Sequence, residues 1–357
     1  MAFVKHRVET LLDRLPQEVD GALILSPVNR FYFTGFSSSA GMVLITRQGS
    51  CFYTDFRYIE AARQAVTSMD CAQYHKASDV LVDAMAKYRV KNVAYEGDFM
   101  SVSQLDRYQK VMGDVRLGYR LDQEVSELRC IKSPEEVERI EAAQRLAEYA
   151  LEKVLDRIRP GVTEREIALE LEFLMRKQGA EAVSFDTIAI TGSNTSLPHG
   201  VPGERAVQKG DFFLMDFGAT LDGYHSDMTR TVGVGQVSSE QKDVYQLVLK
   251  AQLETLKSIR AGKTGAECDA VARGIIEGAG YKGCFDHGTG HGVGLEIHEE
   301  PRLSPGAGQQ LHPGMIVTVE PGIYLAGKFG VRIEDMVVVT ENGCKNLTNL
   351  PKELIEL

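Results

Sequence analysis

The chain has 357 residues, too many for one ordinary hydrophobic core, so two domains are expected. With 43% hydrophobic and 25% charged residues it has the composition of a folded globular protein and leaves little room for extensive disorder. A net charge of −10 argues against nucleic acid or an anionic membrane as the main partner, because either would repel the surface.

The opening residues are charged and amphipathic, without the apolar stretch of a secretion signal. No run of eighteen apolar residues is present that would span a bilayer. Six cysteines are scattered with no CxxC pair, which reads as reduced packing thiols in a cytoplasmic protein. The first third then alternates short apolar runs with helical patterns, the signature of an α/β layer domain. Ala22-Leu23-Ile24-Leu25, Met42-Val43-Leu44-Ile45, Cys51-Phe52-Tyr53-Thr54 and Lys91-Asn92-Val93-Ala94-Tyr95 read as strands. Residues 57–66, 79–88 and 103–111 read as helices. No cluster of catalytic residues stands out in this region. A boundary at about residue 125 gives domains of 1–125 and 126–357. The second opens with Ser133-Pro134-Glu135-Glu136, a capping box whose helix runs to Pro160-Gly161. Thr163 with Glu166, a segment from Ser239, and Thr264 with Glu267 start three more helices.

Residues 211–219 and 225–233 flank Asp222-Gly223, and residues 315–324 and 330–340 flank Ala326-Gly327. Both arrangements predict β-hairpins. They read as a degenerate internal repeat. Gly210 precedes Asp216 by six residues, Gly314 precedes Glu320 by six, and each return strand carries a further acid, Asp227 or Glu334. Two similar halves facing each other would each supply a pair of carboxylates.

One acid on such a strand is ordinarily a solvent-facing residue. Four at matched places are different, because converging carboxylates repel unless divalent cations bridge them. A histidine to join them is available at His291, within the Gly-rich run from His287 to Gly294. Two Asp, two Glu and one His form a mainly hard-oxygen set that favours Mn²⁺ or Co²⁺, with Zn²⁺ or Fe²⁺ as alternatives. His199, His287 and His298 are candidates for moving protons near neutral pH. His6, His75, His225 and His312 read as structural. Asp216-Phe217-Gly218 spells the kinase DFG without the other kinase motifs, and no GxGxxG, HExxH or GxSxG motif is present.

The motifs Met215-Asp216-Phe217-Gly218, Ser226-Asp227-Met228-Thr229-Arg230-Thr231, His287-Gly288-Thr289-Gly290-His291-Gly292, Val319-Glu320-Pro321-Gly322 and Val331-Arg332-Ile333-Glu334-Asp335 resemble those of one superfamily. It comprises methionine aminopeptidase, prolidase and aminopeptidase P, and the Xaa-Pro branch matches best. The segment from Asn29 to Phe36 resembles that branch's creatinase-like N-terminal domain, so the likeness covers nearly the whole chain. The resemblance implies an α+β architecture: a creatinase-like α/β domain, then a "pita-bread" metallopeptidase domain with internal pseudo-two-fold symmetry. It implies two divalent metal ions held by Asp216, Asp227, His291, Glu320 and Glu334, with a hydroxide between the metals attacking the scissile carbonyl. Glu320 would take the proton of the nucleophilic water, and His298 and His199 would stabilise the tetrahedral intermediate and assist the departing proline nitrogen. His287 would line the pocket, and Arg332 would orient ligand carboxylates.

The expected substrates are Xaa-Pro dipeptides or peptides with proline second, and a homodimer is expected. The complete ligand set speaks against creatinase, which works without metal. The N-terminal domain speaks against methionine aminopeptidase. A non-catalytic peptide-binding module on the same fold is the alternative of a different class.

Overall fold

A computed structural model describes residues 2–357, apart from the side chains of residues 2–5, 77 and 79. The chain forms two compact units, Met1–Arg129 and Cys130–Leu357. The division falls a few residues beyond 125 because a helix the sequence reading missed, Asp122–Cys130, occupies the junction.

The first unit is built on a six-stranded mixed sheet. Its order is Asp70–Gln73, Gly49–Thr54, Met42–Thr46, Gly21–Ile24, Asn92–Tyr95, Arg116–Arg120. The Gly49, Met42 and Gly21 strands pair antiparallel, and the remaining pairs are parallel. The two outermost strands were missed in the sequence. They carry polar, half-exposed residues, as edges of a sheet do, and so lack the apolar runs of the inner strands. The helix Pro27–Thr34 was also missed. Ser26 caps it by accepting from the Asn29 backbone N–H, and Gly35 ends it at φ 68°.

The second unit has four long helices, Pro134–Val154, Glu164–Lys177, Ser239–Ser258 and Gly265–Gly278. Each begins with a complete capping box, at Ser133 with Glu136, Thr163 with Glu166, Ser238 with Gln241, and Thr264 with Glu267. The first pair buries Ala147, Leu151, Ile167 and Leu171 against Phe213, Met215 and Phe217 of the Phe212–Phe217 strand. The second pair buries Val244, Val248, Ala272 and Ile276 against Ile323, Val331 and Ile333. Alternate strand residues thus go into the helix-covered core, and the acid between them, Asp216, is turned to the other face.

Both predicted hairpins form, and both are broken in the middle. In the first, Phe212–Phe217 pairs with Met228–Gly233, while Ala219–Leu221 pairs with Tyr224–His225 in a different sheet. In the second, Ile316–Val319 pairs with Asp335–Val339, while Gly322–Leu325 pairs with Phe329–Arg332. The breaks fall at Gly218 and Pro321 on the outgoing strands, and at Asp227 and Glu334 on the returning ones. Gly218 is required: a Cβ there would lie 1.8 Å from the Ser226 carbonyl oxygen. These interruptions release the acids from the regular pleat. The hairpins meet along their return strands, where the Glu334 N–H donates to the Thr229 carbonyl at 3.1 Å and the Thr231 hydroxyl donates to the Arg332 carbonyl at 3.0 Å.

Candidate metal centre

The acids of the two hairpins converge. Asp227, His291 and Glu334, all buried, bring ligand atoms within 4.8 Å of one another. His291 Nε2 lies 3.6 Å from Asp227 Oδ2 and 3.4 Å from Glu320 Oε1. His291 Nδ1 is 3.0 Å from the Gly292 carbonyl, which can only accept, so Nδ1 carries the hydrogen and Nε2 turns a bare lone pair to the carboxylates. Around the acids stand fixed donors. The Thr229 hydroxyl donates to Glu334 Oε2 at 2.7 Å, and the Thr318 hydroxyl donates to Glu320 Oε1 at 3.2 Å. Arg332 Nη2 donates to Asp216 Oδ2 at 2.5 Å. Asp216 Oδ1 is buried and, among the described residues, has no hydrogen-bond partner. An orphaned carboxylate oxygen on a residue that shares a cavity with three other acids suits a divalent cation, and so does the hard-oxygen donor set.

All nine residues singled out in the sequence line one cavity of about 710 Å³: Asp216, Asp227, Glu320 and Glu334; His199, His287, His291 and His298; and Arg332. An apolar stretch of its wall comprises Phe185, Ile188, Pro198, Val201, Pro202 and Ile297. The HGTGH loop is held from behind by Asp269, which accepts from the Thr289 N–H and hydroxyl and pairs with Arg273 at 2.8 Å.

Burial and repulsion from neighbouring acids push Asp227, Glu320 and Glu334 toward their protonated forms. Burial, then the charges of Glu334, Asp216 and Glu320, raise Asp227 well above its usual range. Burial, then Glu320 and Asp216, do the same to Glu334. Burial lifts Glu320 from 4.5 to about 8, with Arg332 opposing and Asp216 reinforcing. A raised folded-state pKa contributes stability below the unfolded value and loses it as pH climbs through the folded one. The cation-free protein is therefore expected to melt at progressively lower temperature as pH rises from about 4.5 through 8 and beyond. Divalent-cation affinity should climb over the same window, because binding displaces protons. Melting curves and cation titrations across that range check both; flat curves would contradict the mutual repulsion.

The histidines move the opposite way, since burial disfavours imidazolium. Burial lowers His291 to about 3 and His287 to about 4, and it also lowers His298. The close approach of His291 to Asp227 and Glu320 is accordingly a neutral imidazole beside carboxyls, not an ion pair. The His291 and His298 rings pack edge to face at 4.4 Å.

Tyr324, which the sequence reading did not single out, joins two of the predicted residues. His287 Nδ1 donates to the Gly288 carbonyl at 2.8 Å, and its Nε2 accepts from the Tyr324 hydroxyl at 2.9 Å. That hydroxyl accepts from Arg332 Nη1 at 2.7 Å. Thr229 and Thr318 were missed as well. All three lie two to four residues from a candidate ligand, inside or beside the quoted motifs, and that proximity was the available signal.

Fold and site together define a metal-dependent peptidase. The chain belongs to metallopeptidase family M24, whose pattern matches residues 138–341, and residues 7–131 match the creatinase/prolidase N-terminal domain. It is similar to the Xaa-Pro dipeptidase of Pyrococcus furiosus, with 36% identity over 99% of this chain and 100% of that one. Among solved structures, the Xaa-Pro dipeptidase from Bacillus anthracis superposes with a TM-score of 0.96 and 40% identity, over 99% of this chain and 100% of that one. The X-Pro aminopeptidase from Thermotoga maritima superposes at 0.93 with 39% identity, over 98% and 100%. No helix among the described residues is long and apolar enough to cross a membrane.

Proposed function

We propose that the chain hydrolyses the bond between an N-terminal residue and proline, in Xaa-Pro dipeptides or in longer peptides, with two divalent cations at the cavity. The observation that carries this reading is the gathering of Asp216, Asp227, His291, Glu320 and Glu334, two acids from each hairpin and one neutral imidazole, on one cavity, with Asp227, His291 and Glu334 within 4.8 Å of one another and Asp216 Oδ1 unpartnered among the described residues. The two similar solved enzymes, one named a dipeptidase and the other an aminopeptidase, support the Xaa-Pro substrate class.

The five residues would hold the cations. Bound there, a divalent cation such as Mn²⁺ or Co²⁺ would supply Lewis acidity and lower the pKa of water toward neutral pH. Glu320 accepts the proton of the attacking water. His298 and His199, on the cavity wall, would stabilise the developing oxyanion by hydrogen bonding and assist the departing proline nitrogen, which takes up the proton that Glu320 accepted from the water. Arg332 and Tyr324 fix Asp216 and His287. Proline at the scissile bond has no N–H to recognise, so the apolar wall from Phe185 to Pro202 selects for ring shape. Six free cysteines support a reducing, cytoplasmic setting, and we assign a homodimer by family likeness.

One assay tests this reading. Exhaustive chelation should abolish hydrolysis of both Xaa-Pro and Xaa-Pro-Yaa, and Mn²⁺ or Co²⁺ should restore it. Turnover of the two-residue substrate alone marks a dipeptidase, and turnover of the longer peptide marks an aminopeptidase. Full activity after chelation would refute the metal reading.

A further inference from the structure

A second charge cluster lies next to the site, and none of its three charged members lines the cavity. Asp335 follows Glu334, and its side chain is completely buried. Its Oδ1 accepts from Arg230 Nη2 at 2.8 Å. Its Oδ2 accepts from Lys352 Nζ at 2.6 Å, Asn346 Nδ2 at 2.8 Å and Gln252 Nε2 at 3.1 Å. Arg230, only 4% exposed, spends every N–H it has. Nε donates to the Pro351 carbonyl and Nη2 also to the Leu350 carbonyl, both at 2.9 Å. Nη1 donates to the Glu334 carbonyl at 2.5 Å and to the Thr229 carbonyl at 2.9 Å. The Tyr245 hydroxyl donates to the Lys352 carbonyl at 2.8 Å and anchors the same segment.

One guanidinium therefore grips two stretches of chain at once. On one side are the carbonyls of Leu350 and Pro351 in the C-terminal segment. On the other are the carbonyls of Thr229 and Glu334, at the junction of the two hairpins. Thr229 also donates its hydroxyl to the Glu334 carboxylate and accepts from Arg332 Nε at 3.1 Å. Any shift of Arg230 moves both the backbone that carries Glu334 and the hydroxyl that orients it. Burying two cations and an acid is a poor way to gain stability, since apolar packing does as well or better. Their placement against the backbone of a candidate ligand gives them a different use.

We propose that Arg230, Asp335 and Lys352 are positioning residues for the metal centre, through which the C-terminal segment sets the place of the Glu334 carboxylate. The proposal rests on the reading that Glu334 is a metal ligand. It names residues that act through Glu334 and Thr229 and do not touch substrate.

The test is Co²⁺ binding to the full chain, followed by calorimetry and by the visible spectrum of the bound ion, with circular dichroism to confirm folding. Arg230→Lys keeps the charge but cannot serve five acceptors, and Lys352→Met removes one cation from the partly exposed end of the network. Both should lose about 10- to 100-fold in affinity for Co²⁺ and shift its absorption bands. Lys352→Arg should recover both properties. Wild-type affinity and spectrum in Arg230→Lys and Lys352→Met, with only the melting temperature lowered, would reduce the network to a structural role and overturn the proposal. Should Arg230→Lys fail to fold, Lys352→Met decides alone. Wild-type Co²⁺ binding in Glu334→Gln would instead overturn the underlying ligand reading, an outcome distinct from failure of the positioning network.

Discussion

Asp227→Asn is expected to act in opposite directions on the two forms of the protein. The substitution keeps the shape of the side chain and replaces one carboxyl of a crowded group of four with a neutral amide. In the cation-loaded enzyme it weakens the hold on metal, whose Lewis-acid contribution to such hydrolyses is several kcal/mol, so kcat/KM should fall by about 10³-fold or more. In the cation-free protein the same change relieves repulsion from Glu334, Asp216 and Glu320. Melting at neutral pH should then rise, by about 2–4 °C for each kcal/mol relieved in a domain of this size. A metal-content measurement should show one equivalent lost or loosely held. Unchanged turnover together with an unchanged cation-free melting temperature would sink the idea that repulsion among these acids is what a cation relieves.

Arg332→Leu is expected to be the most destabilising single change at the site. The side chain is 3% exposed and contacts Asp216, Tyr324, Thr229 and the Pro198 carbonyl. Removing one partner of a buried ion pair leaves the other charge uncompensated, at a cost of about 3–5 kcal/mol. The loss should be largest without metal, because a bound cation offers Asp216 a second source of compensation. Urea unfolding with and without Mn²⁺ measures the difference. A penalty under about 1 kcal/mol in both states would show that Arg332 is not what holds Asp216 in place.

Spacing in the sequence carried physical meaning, and the residues it singled out line one cavity. Asp216 and Glu320 fall in apolar runs of the sequence, six residues beyond matched glycines, and their partners fall in the return runs. That pattern has few explanations other than a shared cation. The capping boxes at Ser133, Thr163 and Thr264 were equally legible, because a cap is a local hydrogen bond between residues three apart. The misses have a common character. The strands Asp70–Gln73 and Arg116–Arg120 are edges, whose polar residues owe their conformation to the neighbouring strand and not to their own pattern. The helix Pro27–Thr34 was hidden by its aromatic residues, which are ambiguous between helix and strand.

By itself, then, the sequence determined which side chains could make a metal site: residue type and local spacing dictate charge, hydrogen-bonding capacity and strand periodicity. Only the tertiary structure decided how those side chains meet. It broke both hairpins so that Asp227 and Glu334 leave the pleat, placed Tyr324 between His287 and Arg332, and drew Arg230 and Lys352 onto Asp335. These pairings join residues up to 105 positions apart (Arg230 and Asp335), and packing between elements, which no local pattern encodes, selects them.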